Sequence, residues 1–133
     1  MLYCDICRSY VQLSSRHCRT CGRCVSGFDH HCIWVNNCVG ENNYRIFVCM
    51  IVSTLVSMSV FVASACVLWA EHLYGNFILE MGFVWAAAII VIVFDILILN
   101  LVLLHVYLAY LGITTYQFIM LNKVKKTKST PNL

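Results

Sequence analysis

The chain has 133 residues, 61% of them hydrophobic and 11% charged, with a mean hydropathy of +0.79, which is far too apolar for an ordinary soluble domain. The formal net charge of +3 conceals two basic ends, because Lys and Arg stop at Arg45 and resume only at Lys123. This composition excludes a freely soluble enzyme, and two membrane spans argue against a zinc-ribbon binder of nucleic acid.

The first element in chain order is a cysteine-rich segment, residues 1–45. Seven of the nine cysteines fall within residues 4–38, together with His17, His30 and His31. A segment of about 45 residues buries too little apolar surface to fold by collapse alone, so it needs disulfides or metal. Histidines mixed with CxxC pairs favour metal. The first apolar stretch begins only after residue 45, so a secreted disulfide scaffold with a cleavable leader is not expected. The cluster is assigned to the reducing, cytosolic side.

Residues 46–70 form an uncharged apolar run of 25 residues, and a helix needs about 20 to cross a bilayer core. Residues 71–81 bring Glu71, His72, Gly75, Asn76 and Glu80 and read as a lumenal loop. Residues 82–111 are apolar again, interrupted by Asp95, Asn100 and His105, and read as a second span. The positive-inside rule puts both basic ends in the cytosol. Residues 112–133 read as a cytosolic interfacial helix and basic tail that meet lipid headgroups. The fold class is therefore a mainly α membrane protein, two transmembrane helices following a small two-zinc domain. No repeat of 20 to 50 residues is visible.

Ten residues of the first segment are of metal-ligand type: Cys4, Cys7, His17, Cys18, Cys21, Cys24, His30, His31, Cys32 and Cys38. Two tetrahedral zinc sites would use eight, leaving two over. The tandem CxxC pairs are a strong signal, since that spacing lets two thiolates reach one ion from a tight turn. Spacing alone does not settle which eight bind.

The run CDIC, nine residues, HCRTCGRC, four residues, DHHCIWVNNCVGENNYRIF, covering residues 4–47, resembles the cysteine-rich domain of the DHHC protein S-acyltransferases (palmitoyltransferases). That resemblance implies one zinc on Cys4, Cys7, His17 and Cys24 and a second on Cys18, Cys21, His31 and Cys38, both structural. It leaves His30 and Cys32 unligated beside Asp29. The implied chemistry is acyl transfer from palmitoyl-CoA or another long-chain acyl-CoA to membrane-proximal cysteines of proteins. Cys32 would be the nucleophile, His30 the base and Asp29 its orienter. Adjacent side chains such as Asp29 and His30 do not face each other on a regular element, so residues 29–32 are expected to form a turn. Trp34 and Phe47 match motif positions near the mouth of the family's acyl cavity, and Arg8, Arg16, Arg19 and Arg23 are candidates for the CoA phosphates.

Family members usually carry two spans ahead of this domain, whereas this sequence starts three residues before Cys4, so a short form lacking those spans is expected. The family's Thr-Thr-x-Glu motif reads here Thr114, Thr115, Tyr116, Gln117, as either a helix capping box or a buttress for the active site. The resemblance further implies a multi-pass protein of the Golgi or endoplasmic reticulum. A catalytically silent zinc-binding membrane scaffold is the rival reading. Cys49 and Cys66 read as small packing residues, and Asp95 is expected to find a partner within the spans, Asn100 or His105.

Overall fold

Three-residue strands are too short to hold a sheet by themselves, and the amino-terminal segment is built from them. The computed structural model describes residues 1–72 and 78–129. Strands β1 (Leu2–Cys4) and β2 (Ser9–Val11), β3 (Arg16–Cys18) and β4 (Arg23–Val25), and β5 (His30–Cys32) and β6 (Asn37–Val39) pair only within three antiparallel hairpins. Helices α1 (Tyr44–His72), α2 (Ile78–Leu111) and α3 (Thr115–Ser129) follow. The chain is mainly α with a small hairpin domain in front, as its composition predicts. Of the expected 71–81 loop, residues 73–77 lie outside the described residues.

The hairpins are copies of one another at a spacing of fourteen residues, shorter than the periods that the sequence reading considered. Cys4, Cys18 and Cys32 each end a first strand. The central cross-strand pairs are Tyr3 with Tyr10, His17 with Cys24, and His31 with Cys38, and Val11, Val25 and Val39 close each hairpin. Each turn holds one residue with positive φ at the same place: Arg8 at 50°, Gly22 at 62° and Asn36 at 46°. Only the glycine adopts that conformation without a Cβ penalty. Arg8 and Asn36 are held there by the rest of the hairpin.

Two compact units divide the chain, one of Met1–Phe47 with His105–Leu133 and one of Val48–Leu104. In the first, Asn43 links the third hairpin to the start of α1, its amide donating to the Cys38 carbonyl at 2.9 Å and its oxygen accepting from the Gly40 amide at 2.9 Å. At the end of α2, Gly112 takes φ +65°, and the Gly112 and Ile113 amides bond back to the carbonyls of Ala109 and Leu108. This is the Schellman pattern that ends a helix at glycine. Thr114 and Gln117 then cap α3 reciprocally, with the Thr114 amide donating to Gln117 Oε1 at 2.8 Å and the Gln117 amide to Thr114 Oγ1 at 3.2 Å.

Among the described residues the second unit is helical. The windows Tyr44–Ala70 and Gly82–Leu111 are long and apolar enough to cross a membrane, with mean hydropathies of 2.5 and 3.0. Asp95 was expected to partner Asn100 or His105, and instead accepts a 2.9 Å bond from Ser59 on α1. Asn100 donates to the Ile96 carbonyl of its own helix at 2.8 Å. A residue four positions away was within its reach, so no second helix was required.

Gly40 has no room for a side chain: a Cβ there would lie 2.6 Å from Val25 Cγ1 and 2.7 Å from the Ser26 carbonyl oxygen. The latter is backbone and cannot swing aside. Gly40→Ala is expected to destabilise the hairpin domain by about 1–3 kcal/mol. The check is a lowered midpoint of thermal unfolding in detergent, measured with zinc in excess.

Candidate active site and metal centres

The hairpin repeat builds both metal centres by one rule. A turn supplies two cysteines, and the central cross-strand pair of the next hairpin supplies a histidine and a cysteine. Cys4 and Cys7 meet His17 and Cys24 in this way, and Cys18 and Cys21 meet His31 and Cys38. In each group the four ligand atoms lie within 4.8 Å of one another. Specific edges are Cys7 Sγ to His17 Nδ1 at 3.2 Å, Cys24 Sγ to Cys7 Sγ at 3.7 Å, and Cys21 Sγ to Cys38 Sγ at 3.3 Å. Two thiolates about 2.3 Å from one tetrahedral zinc are about 3.8 Å apart, so the donors are placed to hold such an ion.

The electrostatics call for a cation. Burial and the neighbouring thiols of Cys4 and Cys7 push the Cys24 thiol up to about 12, and burial with Cys21 and Cys18 does the same to Cys38. Clustered thiols cannot all ionise until a positive charge joins them. All nine cysteines are free, so disulfides do not hold the domain. The cross-strand pair in the first hairpin is instead aromatic, Tyr3 against Tyr10 with centroids 5.1 Å apart.

The same rule leaves the third turn without metal. Cys32 stands where Cys4 and Cys18 stand, but Val35 replaces the second cysteine, and α1 follows where a further hairpin would have to contribute its pair. Cys32 is 7% exposed. Residues 29–32 were expected to form a turn, and the structure makes His30–Cys32 the strand β5. Pleating places His31 on the metal face with its partner Cys38, and His30 and Cys32 together on the opposite face. Asp29 lies just outside the strand, where irregular backbone lets its carboxylate swing beside the neighbouring ring.

That carboxylate is 3% exposed and committed at both oxygens. Oδ2 lies 2.7 Å from His30 Nδ1, which selects the neutral tautomer that carries its proton on Nδ1 and its acceptor lone pair on Nε2. Oδ1 accepts the Thr115 amide at 2.8 Å, at the start of α3. Burial pushes the Asp29 carboxyl up, but the His30 and Thr115 bonds outweigh it and hold it below its ordinary value. The Thr114–Gln117 capping box therefore also buttresses the acid, and the two readings of that motif describe one arrangement.

Phe47, 5% exposed, packs edge-on against His30 with centroids 5.2 Å apart, and Trp34 projects from the β5–β6 turn, 85% exposed. The four arginines are not gathered. Arg8 and Arg19 are exposed in the turns of different hairpins, Arg16 lies 5.4 Å above the Tyr116 ring, and Arg23 donates to Asn37 Oδ1 at 2.9 Å.

Sequence reasoning missed Tyr44 and His105 as neighbours of this site. The signal for His105 was present, since an ionisable group inside an apolar span is a functional candidate by default. Asp29, His30 and His105 bring three donor atoms within 4.8 Å. The 2.7 Å separation of the first two is a hydrogen bond, shorter than the edge of about 3.3 Å that a tetrahedral ion with nitrogen and oxygen ligands imposes.

The DHHC palmitoyltransferase family model matches residues 1–122, and the chain belongs to that family. With its two long apolar helices, it is a membrane protein. It is 36% identical over 117 residues to a probable protein S-acyltransferase 15 of Arabidopsis thaliana, a match covering 86% of this chain and 46% of that protein. It is 34% identical over 119 residues to palmitoyltransferase ZDHHC8 of Canis lupus familiaris, covering 90% of this chain and 16% of that protein. The chain spans less than half the length of these relatives.

Cys18→Ala removes a donor from a turn, and loss of zinc with unfolding of the hairpin domain is expected. Cys32→Ala is expected to retain two zinc ions per chain. Elemental analysis of the purified variants distinguishes them, and zinc lost from Cys32→Ala would overturn the ligand assignment.

Proposed function

We propose that this chain carries out the chemistry of a protein S-acyltransferase, with Cys32 as the acyl-carrying nucleophile. The observation that carries the reading is the position of Cys32, at a metal-ligand place without metal partners, on the same strand face as an imidazole polarised by a buried carboxylate. A thiol is mostly protonated at neutral pH, and an imidazole with a free Nε2 can take its proton. Asp29 fixes the tautomer that leaves Nε2 available.

In the first half-reaction the Cys32 sulfur attacks the thioester carbonyl of a long-chain acyl-CoA, its proton passing to His30. The bond to the CoA sulfur breaks and CoA leaves as the thiol, taking that proton. In the second, the thiol of a protein substrate gives its proton to His30 and attacks the Cys32 thioester. Cys32 leaves and recovers the proton. Cys4, Cys7, His17 and Cys24 would hold one zinc ion and Cys18, Cys21, His31 and Cys38 a second, and with all four positions filled each would supply structural cross-linking.

Only thirteen residues separate Cys32 from the first residue of the uncharged run, Ile46, so the thiol stays near the membrane surface, where an acyl chain can remain in lipid. Exposed Ile33, Trp34 and Val35 beside it favour the same placement. Substrates are then proteins whose cysteines lie close to the membrane on the cytosolic side, in the Golgi or endoplasmic reticulum. The arginines of the hairpins are the cations available to CoA phosphates.

Incubated with labelled palmitoyl-CoA in lipid, the chain is expected to acquire a label that hydroxylamine releases, and Cys32→Ser is expected to acquire none released in that way. A zinc-loaded, folded chain that stays unlabelled would leave the scaffold reading in its place. Asp29→Asn keeps an acceptor for the Thr115 amide but turns an N–H toward His30 and forces the wrong tautomer. Labelling is expected to slow by about a hundredfold or more, measured as the initial rate.

A further inference from the structure

An imidazole held at one end by a single hydrogen bond can still swing about that bond. His30 has such a bond to Asp29 and a side chain 26% exposed, so something else must set the direction of its Nε2. The buried face of the ring supplies it. Tyr44 and Phe47, three residues apart in the first turns of α1, share a helix face, and α2 contributes His105, 4% exposed. Phe47 stands 5.2 Å from His30 and 5.2 Å from His105, edge-on to both. His105 stands 5.9 Å from His30, tilted by 38°. The Tyr44 hydroxyl lies 3.1 Å from His105 Nδ1.

A buried histidine in an apolar helix is an expensive way to fill space, and leucine would fill it without a polar group to satisfy. The Tyr44 bond answers the cost at one nitrogen and fixes the rotation of the ring. Leu108, one turn on along α2 and 1% exposed, marks the same side of the helix as buried. Phe47 from α1 and His105 from α2 form the bed on which the His30 ring rests, and Tyr44 holds His105 from its other side.

We propose that His105 is a positioning residue for His30: clamped by Tyr44 and Phe47, it fixes the plane of the His30 imidazole so that Nε2 keeps one direction. This inference rests on the acyl-transfer reading above for its consequence in rate, and on geometry alone for its effect on the ring. Misplacement of a reacting group by about 1 Å can cost a hundredfold, so a loosened ring is felt in the chemical step more than in binding.

The test uses the full chain in lipid with 15N-labelled histidine, comparing wild type with His105→Ala, His105→Asn and Tyr44→Phe, each checked for two bound zinc ions. In wild type, His30 is expected to show an Nε2 15N chemical-shift anisotropy undiminished by ring motion. In His105→Ala that signature averages, and the rate of Cys32 acylation at saturating palmitoyl-CoA falls at least tenfold while the half-saturating concentration stays the same. His105→Asn can still meet the Tyr44 hydroxyl and recovers part of the rate, and Tyr44→Phe loses several-fold. An unchanged His30 signal in a zinc-replete His105→Ala overturns the proposal. If that variant fails to fold, an unchanged His30 signal in Tyr44→Phe overturns it equally. A His30 signal that responds to His105 in a wild-type chain that never acquires palmitate leaves the positioning intact and removes the acyl-transfer reading.

Discussion

Eight soft donor atoms in two groups of four are what the amino-terminal domain depends on. Its strands are three residues long and its core is little more than Cys18, Cys38 and Val39, so hydrophobic burial contributes too little to set the hairpins relative to one another. Metal held by these groups would do so by a stagger: each group takes its turn cysteines from one hairpin and its cross-strand pair from the next. Two ions would thereby fasten three hairpins in series. The end of the series is a turn with one cysteine and no four-donor group, and that cysteine, Cys32, is the proposed nucleophile.

The third hairpin is also the one joined to the helices. Asn43 fastens it to the start of α1, and Asp29 fastens it to the start of α3 through the Thr115 amide. The carboxylate benefits twice, from a peptide N–H at a helix start and from the His30 ring, and both favour its ionised form. Asp29 is thus held from the hairpin side and from the helical side at once. Loosening α3 by breaking its cap would disturb the base without touching it.

Much of this was legible in the sequence because the signals are local. Apolar run lengths gave two helices, and CxxC pairs with intervening histidines gave two four-donor centres with two residues left over. The fourteen-residue repeat escaped because its units are single hairpins, far shorter than the periods at which repeat architectures announce themselves. The strand at His30–Cys32 reads from sequence as a turn if Asp29 and His30 share one element, but Asp29 lies just outside it. Asp95 with Ser59, Tyr44 with His105 and Asp29 with Thr115 join residues 36, 61 and 86 positions apart. No periodicity encodes such pairings, which arise only when the elements pack.

The alternation of β5 is a sorting device. His31 and Cys38 lie on the face that metal claims, and His30 and Cys32 lie on the other. A pairing displaced by a single residue would exchange the two faces and offer the reactive pair to zinc in place of the proper ligands. A chain misassembled in this way could still carry a full complement of metal, with its thiol locked in coordination and inert toward a thioester. Zinc stoichiometry therefore counts domains that have closed, whereas a titration of accessible thiol counts those that have closed in the productive frame. The difference between the two would measure how faithfully six residues of backbone are read during assembly.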